Sequence, residues 1–345
     1  MIRIEENCAE DLDQLTLDHY EALIQPRNAD GSYHQTQSLI GRITYELSQT
    51  PLILKGESDF WNYLLTNHYY NLERIIRGRP EELARIIQEI ETNFGNKLFS
   101  ITIGYNLSHL TTFGSKVKKV FNYGNYRDKA ISVENAEKLK IGYCPYCNLG
   151  ITQIIQRTNQ LTGPQRSLAL MQLDHFYPQS RHPYLAVSFF NLIPGCSPCN
   201  AQLKGEKDFT IVTHFNPFHK SFNDYFKFEL SQLVYSSEDE VEITISNKNP
   251  HVPNQVQDFE LIRRYNDRQT KRIIFGMLMA TKNRSRSIRQ SYVSQFIGLA
   301  QQAFISDETL LKSQGVPFES KYINDFHRGK LKRDLCIQLQ LLQDD

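Results

Sequence analysis

The chain has few cysteines, no long apolar run and no surplus of either charge. Six cysteines in 345 residues leave no disulfide framework once two CxxC pairs are set aside, and that scarcity suits a reducing cytosol. The longest apolar stretch, Ile273 to Ala280, falls far short of what a bilayer requires. The opening MIRIEENCAEDL carries early acids and no apolar segment of signal-peptide length, so a cytoplasmic protein without a membrane partner is expected. With 39 Lys and Arg against 38 Asp and Glu, the formal charge is +1, which removes any global polycation argument for nucleic acid. No GxxxxGKS or GxxxxGKT run occurs, so nucleotide hydrolysis would belong to a partner. The absence of internal repeats argues against a solenoid.

The near-neutral total hides local asymmetry. Nine basic residues (Arg263, Arg264, Arg268, Lys271, Arg272, Lys282, Arg284, Arg286 and Arg289) stand against one acid, Asp267. A shorter basic stretch, Lys116, Lys118, Lys119, Arg127 and Lys129, includes the aromatics Phe121, Tyr123 and Tyr126. Either is a candidate footprint for a phosphate backbone, beside the ordinary reading as a solvated face.

A hydrophobic content of 40% supports a real core and an α+β chain of three parts. Residues 1–140 read as mainly helical, a region that positions a partner or substrate. Phe60, Leu64, Leu65, Tyr69, Leu72, Ile75 and Ile76 recur at helical spacing and predict one helix ending at Gly78. Pro80 opens the next helix, with Glu81 and Glu82 in its first turn and Gly95 after its end. Residues 141–210 predict a strand over Leu170–Phe176, a second over Ala186–Ile193 and a short helix over Ser197–Lys204, with Ile151–Ser167 as a surface loop. Residues 211–345 predict a hairpin (225–235 with 241–245), a helix over Asp258–Gln290 with a break, and another over Leu331–Leu342.

The chemistry concentrates in the middle part. Cys144 and Cys147 form one CxxC pair, Cys196 and Cys199 another. Four thiolates around one zinc ion make a closed structural site, and paired CxxC spacing is a strong signal for it, against four buried free thiols. Cys8 and Cys336 have no such partners and read as ordinary thiols. Between the pairs stand Asp174, His175 and Asn191; directly after stand Asn200 and Lys204. An imidazole can take a proton from water near neutral pH, and a carboxylate suits a hard divalent cation. His182, His214 and His219 lie near this motif and read as turn or packing residues more readily than as ligands.

The runs CPYC, LDHFYPQS and FFNLIPGCSPCNAQLKG resemble the HNH endonuclease family over about residues 141–210. The resemblance implies a zinc-stapled ββα-metal core flanked by the helical N-terminal and hairpin-plus-helix C-terminal regions. It implies His175 as general base, Asp174 and Asn200 as ligands of a catalytic Mg2+ or Mn2+, and Asn191 as a brace for the loop that aims the histidine. It brings Lys204 within reach of a phosphate. Asn200 stands where many relatives carry a second histidine, and its amide oxygen favours hard ions. A looser similarity is to the HNH nuclease partner of Septu-type and retron-linked anti-phage systems, which implies a DNA-cutting defence effector released by an ATPase or another protein. Two alternatives stay open: an RNA-cleaving, toxin-like nuclease acting on tRNA, and a zinc knuckle that only binds nucleic acid or protein.

Overall fold

A computed structural model describes residues 1–8, 10–51, 53–95, 97–103, 108–127, 129–158, 165–248, 254–282 and 311–345. Helices and small antiparallel sheets alternate along it, an α+β arrangement. Among the described residues no helix is long and apolar enough to cross a membrane.

The first part is helical: α1 (Leu12–Ile24), α2 (Leu39–Gln49), α3 (Lys55–Arg77) and α4 (Pro80–Phe94), then a small β1–β2 pair (Ser100–Thr102, Ser108–Leu110), α5 (Thr112–Phe121), α6 (Tyr123–Arg127) and α7 (Ala130–Lys138). Helix α3 is not the continuous helix its periodicity predicts. The backbone leaves helical geometry from Thr66 to Tyr69, where Asn67, His68 and Tyr69 take φ of 49°, 54° and 65°. Asn and His tolerate this left-handed region better than most residues. The carbonyl of Tyr63, released by the break, accepts from the Asn71 side-chain amide at 3.0 Å. Helix α4 begins at Pro80 and ends before Gly95 (φ 79°), as its capping residues predict.

The middle part departs from expectation twice. Ile151–Ser167 is not simply a loop: β3 (Ile154–Thr158) pairs antiparallel with β4 (Gln165–Ala169), helped by the β-branched Ile154 and Ile155. Strand β5 (Gln172–His175) pairs with β6 (Leu192–Gly195), His175 opposite Leu192, so the second strand starts six residues later than the predicted Ala186. Side chains claim the earlier backbone. Asn191 donates to Leu185 O at 3.0 Å, His175 to Ala186 O at 2.9 Å and His19 to Val187 O at 2.8 Å. With these carbonyls satisfied, the segment folds into two 3-10 turns, Pro183–Leu185 and Phe189–Asn191, rather than a ladder. The helical segment Pro198–Lys204 follows β6.

The third part holds the hairpin β7 (Phe226–Leu230) and β8 (Ile243–Asn247), with alternating burial along β7. The expected long helix is three pieces, α8 (Gln255–Asp258), α9 (Leu261–Tyr265) and α10 (Arg268–Lys282). Its breaks fall at Glu260, with φ 49°, and at Asp267, whose carboxylate accepts from the Gln269 and Thr270 amides at 2.9 and 3.1 Å and so caps α10. The last helix, α11 (Gly329–Gln338), ends before the predicted Leu342.

Buried residues of all three parts share one hydrophobic cluster. Its aromatic centre joins Phe60 to Phe99 (ring centroids 4.8 Å apart) and Phe99 to Tyr184 (5.1 Å), which fastens the 183–191 segment to the N-terminal helices. His19 lies in the same seam, fully buried, and burial pushes its pKa down to about 4. The unfolded state therefore binds more protons below pH 6.5, so the stabilisation by neutral His19 is complete above that pH and is lost as pH falls toward 4. Between pH 7.5 and 5 the loss should be about 2 kcal/mol from this residue. Urea unfolding of wild type and His19→Gln at both values checks it: equal pH slopes in the two proteins would show that His19 does not titrate with folding.

Candidate metal centre and groove

The two CxxC pairs meet. The sulfur atoms of Cys144, Cys147, Cys196 and Cys199 all lie within 4.8 Å of one another, and all four residues are buried. Zinc–sulfur bonds of about 2.3 Å in a tetrahedron require sulfur–sulfur edges of about 3.8 Å; Cys147 and Cys196 are 3.7 Å apart. This separation is far too long for a disulfide, and the four cysteines could hold a metal ion such as zinc. The approach depends on Gly150, where a Cβ would lie 2.2 Å from Cys196 Cβ and 2.6 Å from its Sγ.

Arg264 belongs to this centre. Its guanidinium donates to Cys199 Sγ and Cys147 Sγ, each at 3.3 Å. Burial disfavours its charge, but the thiolates at Cys147 and Cys199 more than offset that. The expectation that Arg264 contacts nucleic acid is thus corrected: its charge is turned inward, onto sulfur. Three of the other four described side chains of the long basic stretch are matched within the chain. Arg263 pairs with Glu260 at 3.3 Å, Arg272 with Glu238 at 3.1 Å, and Lys271 donates to Asp239 O at 3.1 Å. Arg268 is exposed, and its charge helps the Arg272 hydrogen bond hold Glu238 below the usual carboxylate range. Only the helical backbone of Lys282 is described; Arg284, Arg286 and Arg289 lie outside the described residues.

Next to the sulfur cluster opens a groove of about 1170 Å³ whose walls include Asp174, His175, Asn200 and Lys204. Register brings the first two there, at the end of β5 beside β6. The Asp174 carboxylate is 2% exposed. Its Oδ2 accepts from the Tyr146 hydroxyl at 2.7 Å and its Oδ1 meets Lys204 Nζ at 3.1 Å. Tyr146 stands inside the first CxxC turn, and burial, then the Asp174 charge, raises its pKa well above the ordinary value, so the phenol stays a donor. Lys204 is also 2% exposed. Its ammonium donates to His175 O at 2.6 Å and sits 5.1 Å above the Phe209 ring. Lys204 is therefore neither a solvated lysine nor a free phosphate ligand; it is the buried counter-ion of Asp174.

His175 Nε2 lies 2.9 Å from Ala186 O. A carbonyl only accepts, so Nε2 carries the proton and Nδ1 keeps the lone pair. Tyr123 packs edge-on against the ring at 4.4 Å, and the Gln179 amide nitrogen lies beside the ring, 2.5 Å from Nε2 and 3.1 Å from Nδ1. Burial, offset in part by Ala186 O and reinforced by the Lys204 and Lys118 charges, lowers the His175 pKa to about 3. The imidazole is neutral throughout the physiological range. Asn200 is partly exposed, its amide nitrogen 2.9 Å from Gln172 Oε1.

Asn191 stands apart, fully buried behind the groove. Its Oδ1 accepts from the Tyr177 amide at 2.7 Å, and its Nδ2 donates to Tyr177 O at 3.2 Å and Leu185 O at 3.0 Å. It braces the segment whose next carbonyl, Ala186 O, orients His175. The three histidines beside the motif serve packing: His182 lies 3.1 Å from the Tyr184 hydroxyl, His214 contacts Asp258 at 2.9 Å and stacks on Phe209 at 3.4 Å, and His219 contacts Glu81 at 3.1 Å. Sequence reasoning missed Tyr146, Gln179 and the inward turn of Arg264. Only Tyr146 had a signal, since a tyrosine between two ligands is buried and needs a hydroxyl partner.

Comparison of the chain with protein-family models, curated proteins and solved structures gives no match.

Gly150→Ala and Cys196→Ser should each lower bound zinc from one ion per chain toward none and lower the unfolding temperature with it, because a structural metal contributes folding energy. Elemental analysis with thermal unfolding checks this; a Cys196→Ser protein with full zinc and unchanged stability would remove the zinc reading.

Proposed function

We propose that this chain is a metal-dependent HNH endonuclease that hydrolyses phosphodiester bonds of DNA, acting as the nuclease effector of a prokaryotic anti-phage system. The observation that carries the nuclease reading is one groove lined by a carboxylate, an amide and a neutral imidazole, set against a four-sulfur cluster. The defence role rests on the looser of the two sequence resemblances alone.

The chain's own residues divide the work. Ala186 O holds the Nε2 proton of His175, which fixes the tautomer and makes Nδ1 the basic nitrogen; Gln179, beside Nδ1, would have to move aside for the attacking water. Asn191 holds that segment in place. Asp174 and Asn200 would offer hard oxygen donors that suit Mg2+ or Mn2+, provided the Lys204 ammonium gives up Asp174 Oδ1 to the ion. When bound there, the ion supplies charge stabilisation for the leaving oxygen. An incoming phosphate near Lys118 would offset only a minor part of the depression of His175, whose main cause is burial.

His175→Ala should lower cleavage by about 100-fold to 10,000-fold while zinc content stays at the wild-type value, since the imidazole lies outside the sulfur cluster; the lost hydrogen bond to Ala186 O should lower the unfolding temperature modestly. Plasmid DNA and total tRNA, each with Mg2+, Mn2+ or chelator, are the substrates to compare. Cutting by His175→Ala at the wild-type rate would eliminate the base assignment, and preference for tRNA would turn the reading to an RNA-cleaving nuclease.

A further inference from the structure

We propose that Lys118, on helix α5 of the N-terminal region, is a phosphate-contacting cation of the groove, so that the substrate strand lies between α5 and the His175 wall. This rests on the nuclease reading above.

A groove that takes a polyanion needs an accessible positive charge facing its reactive groups. Lys204 cannot supply it, because its ammonium is buried between Asp174 Oδ1 and His175 O. Among the described residues, none of the long basic stretch lines the groove; Ser115, Lys118, Tyr123 and Arg127 do. Lys118 is exposed there, across from the buried carboxylate and the imidazole.

The orientation of α5 is tightly held. Phe113, Val117, Val120 and Phe121 are buried. Gly114 lets the helix approach the preceding chain so closely that a Cβ would lie 1.9 Å from Phe99 O. Arg42 Nε donates to Val120 O at 2.7 Å near the end of the helix. Lys116 turns toward Glu57 at 3.6 Å and Glu46 at 3.9 Å. With those flanks taken, Ser115 and Lys118, three residues apart, share the remaining face, and that face is the groove wall. Tyr123, just past the helix, lies edge-on to His175 and donates to Leu173 O at 3.1 Å, which ties this wall to β5. The helix is thus a rigid mount for a flexible ammonium, suited to a backbone phosphate beside the scissile one.

The test uses the full-length, zinc-loaded chain with a short fluorescent DNA duplex. Binding is measured across a range of NaCl in the His175→Ala background, and cleavage with Mg2+ in the background that retains His175. Lys118→Gln should weaken binding and lower kcat/KM by about tenfold, and reduce the slope of log Kd against log salt by about one. Lys118→Arg should restore both. Lys119→Gln, exposed but off the groove wall, should change neither. If Lys118→Gln binds with the wild-type salt slope and affinity, Lys118 is not the contact, whatever the cleavage. If the chain with Lys118 intact neither binds nor cuts the duplex, the nuclease reading fails and this proposal with it.

Discussion

Four sulfur atoms drawn within 4.8 Å of one another set the geometry on which the groove depends. They join three stretches distant in sequence: the 144–150 turn, the end of β6 with its following helical segment, and α9 through Arg264. The same turn carries Tyr146, whose hydroxyl fixes Asp174. Its Asn148, at φ 54°, donates to Ile323 O and Phe326 O at 3.0 and 3.1 Å and accepts from the Lys330 amide at 3.0 Å. The sulfur cluster thereby positions a carboxylate on one side and the C-terminal helix on the other. Four clustered thiolates are unstable without positive charge, and Arg264 brings one such charge to a site that a divalent ion would complete.

The second constraint is the segment between β5 and β6. It has little regular structure, yet its carbonyls at 185, 186 and 187 are taken in turn by Asn191, His175 and His19. Leaving any of them buried and unpaired would carry a desolvation cost. Two of the three partners belong to the motif, while the third comes from α1. Tyr184 adds packing against Phe99 and Phe60. The N-terminal region is thus part of the machinery that orients His175.

The buried pair of Asp174 and Lys204 shows how the site tolerates charge without water. Each ion is 2% exposed, and desolvating two such groups is costly unless hydrogen bonds meet what the pair leaves over. Tyr146 serves the carboxylate, while His175 O and the Phe209 ring serve the ammonium. His214, held by Asp258, stacks on the other half of this support through Phe209. The stacked pair makes a shelf under Lys204.

Local information in the chain was enough for some of this. The CxxC spacing by itself determined a four-sulfur centre, because each short turn can present two sulfurs to one ion. The Pro80 and Gly95 caps determined α4, and alternation determined β7 against β8, since both depend on neighbours in sequence. Tertiary structure decided the rest. Periodicity could not see the break at Asn67, where side chains rescue the freed carbonyl, nor the late start of β6, where a histidine 168 residues away takes Val187 O. Charge counting could not tell Arg264, folded onto sulfur, from Lys118, held at the groove by a glycine that lets α5 meet Phe99. A residue type states what a side chain is able to do; only long-range packing decides which groups it meets, because desolvation and pairing depend on neighbours in space.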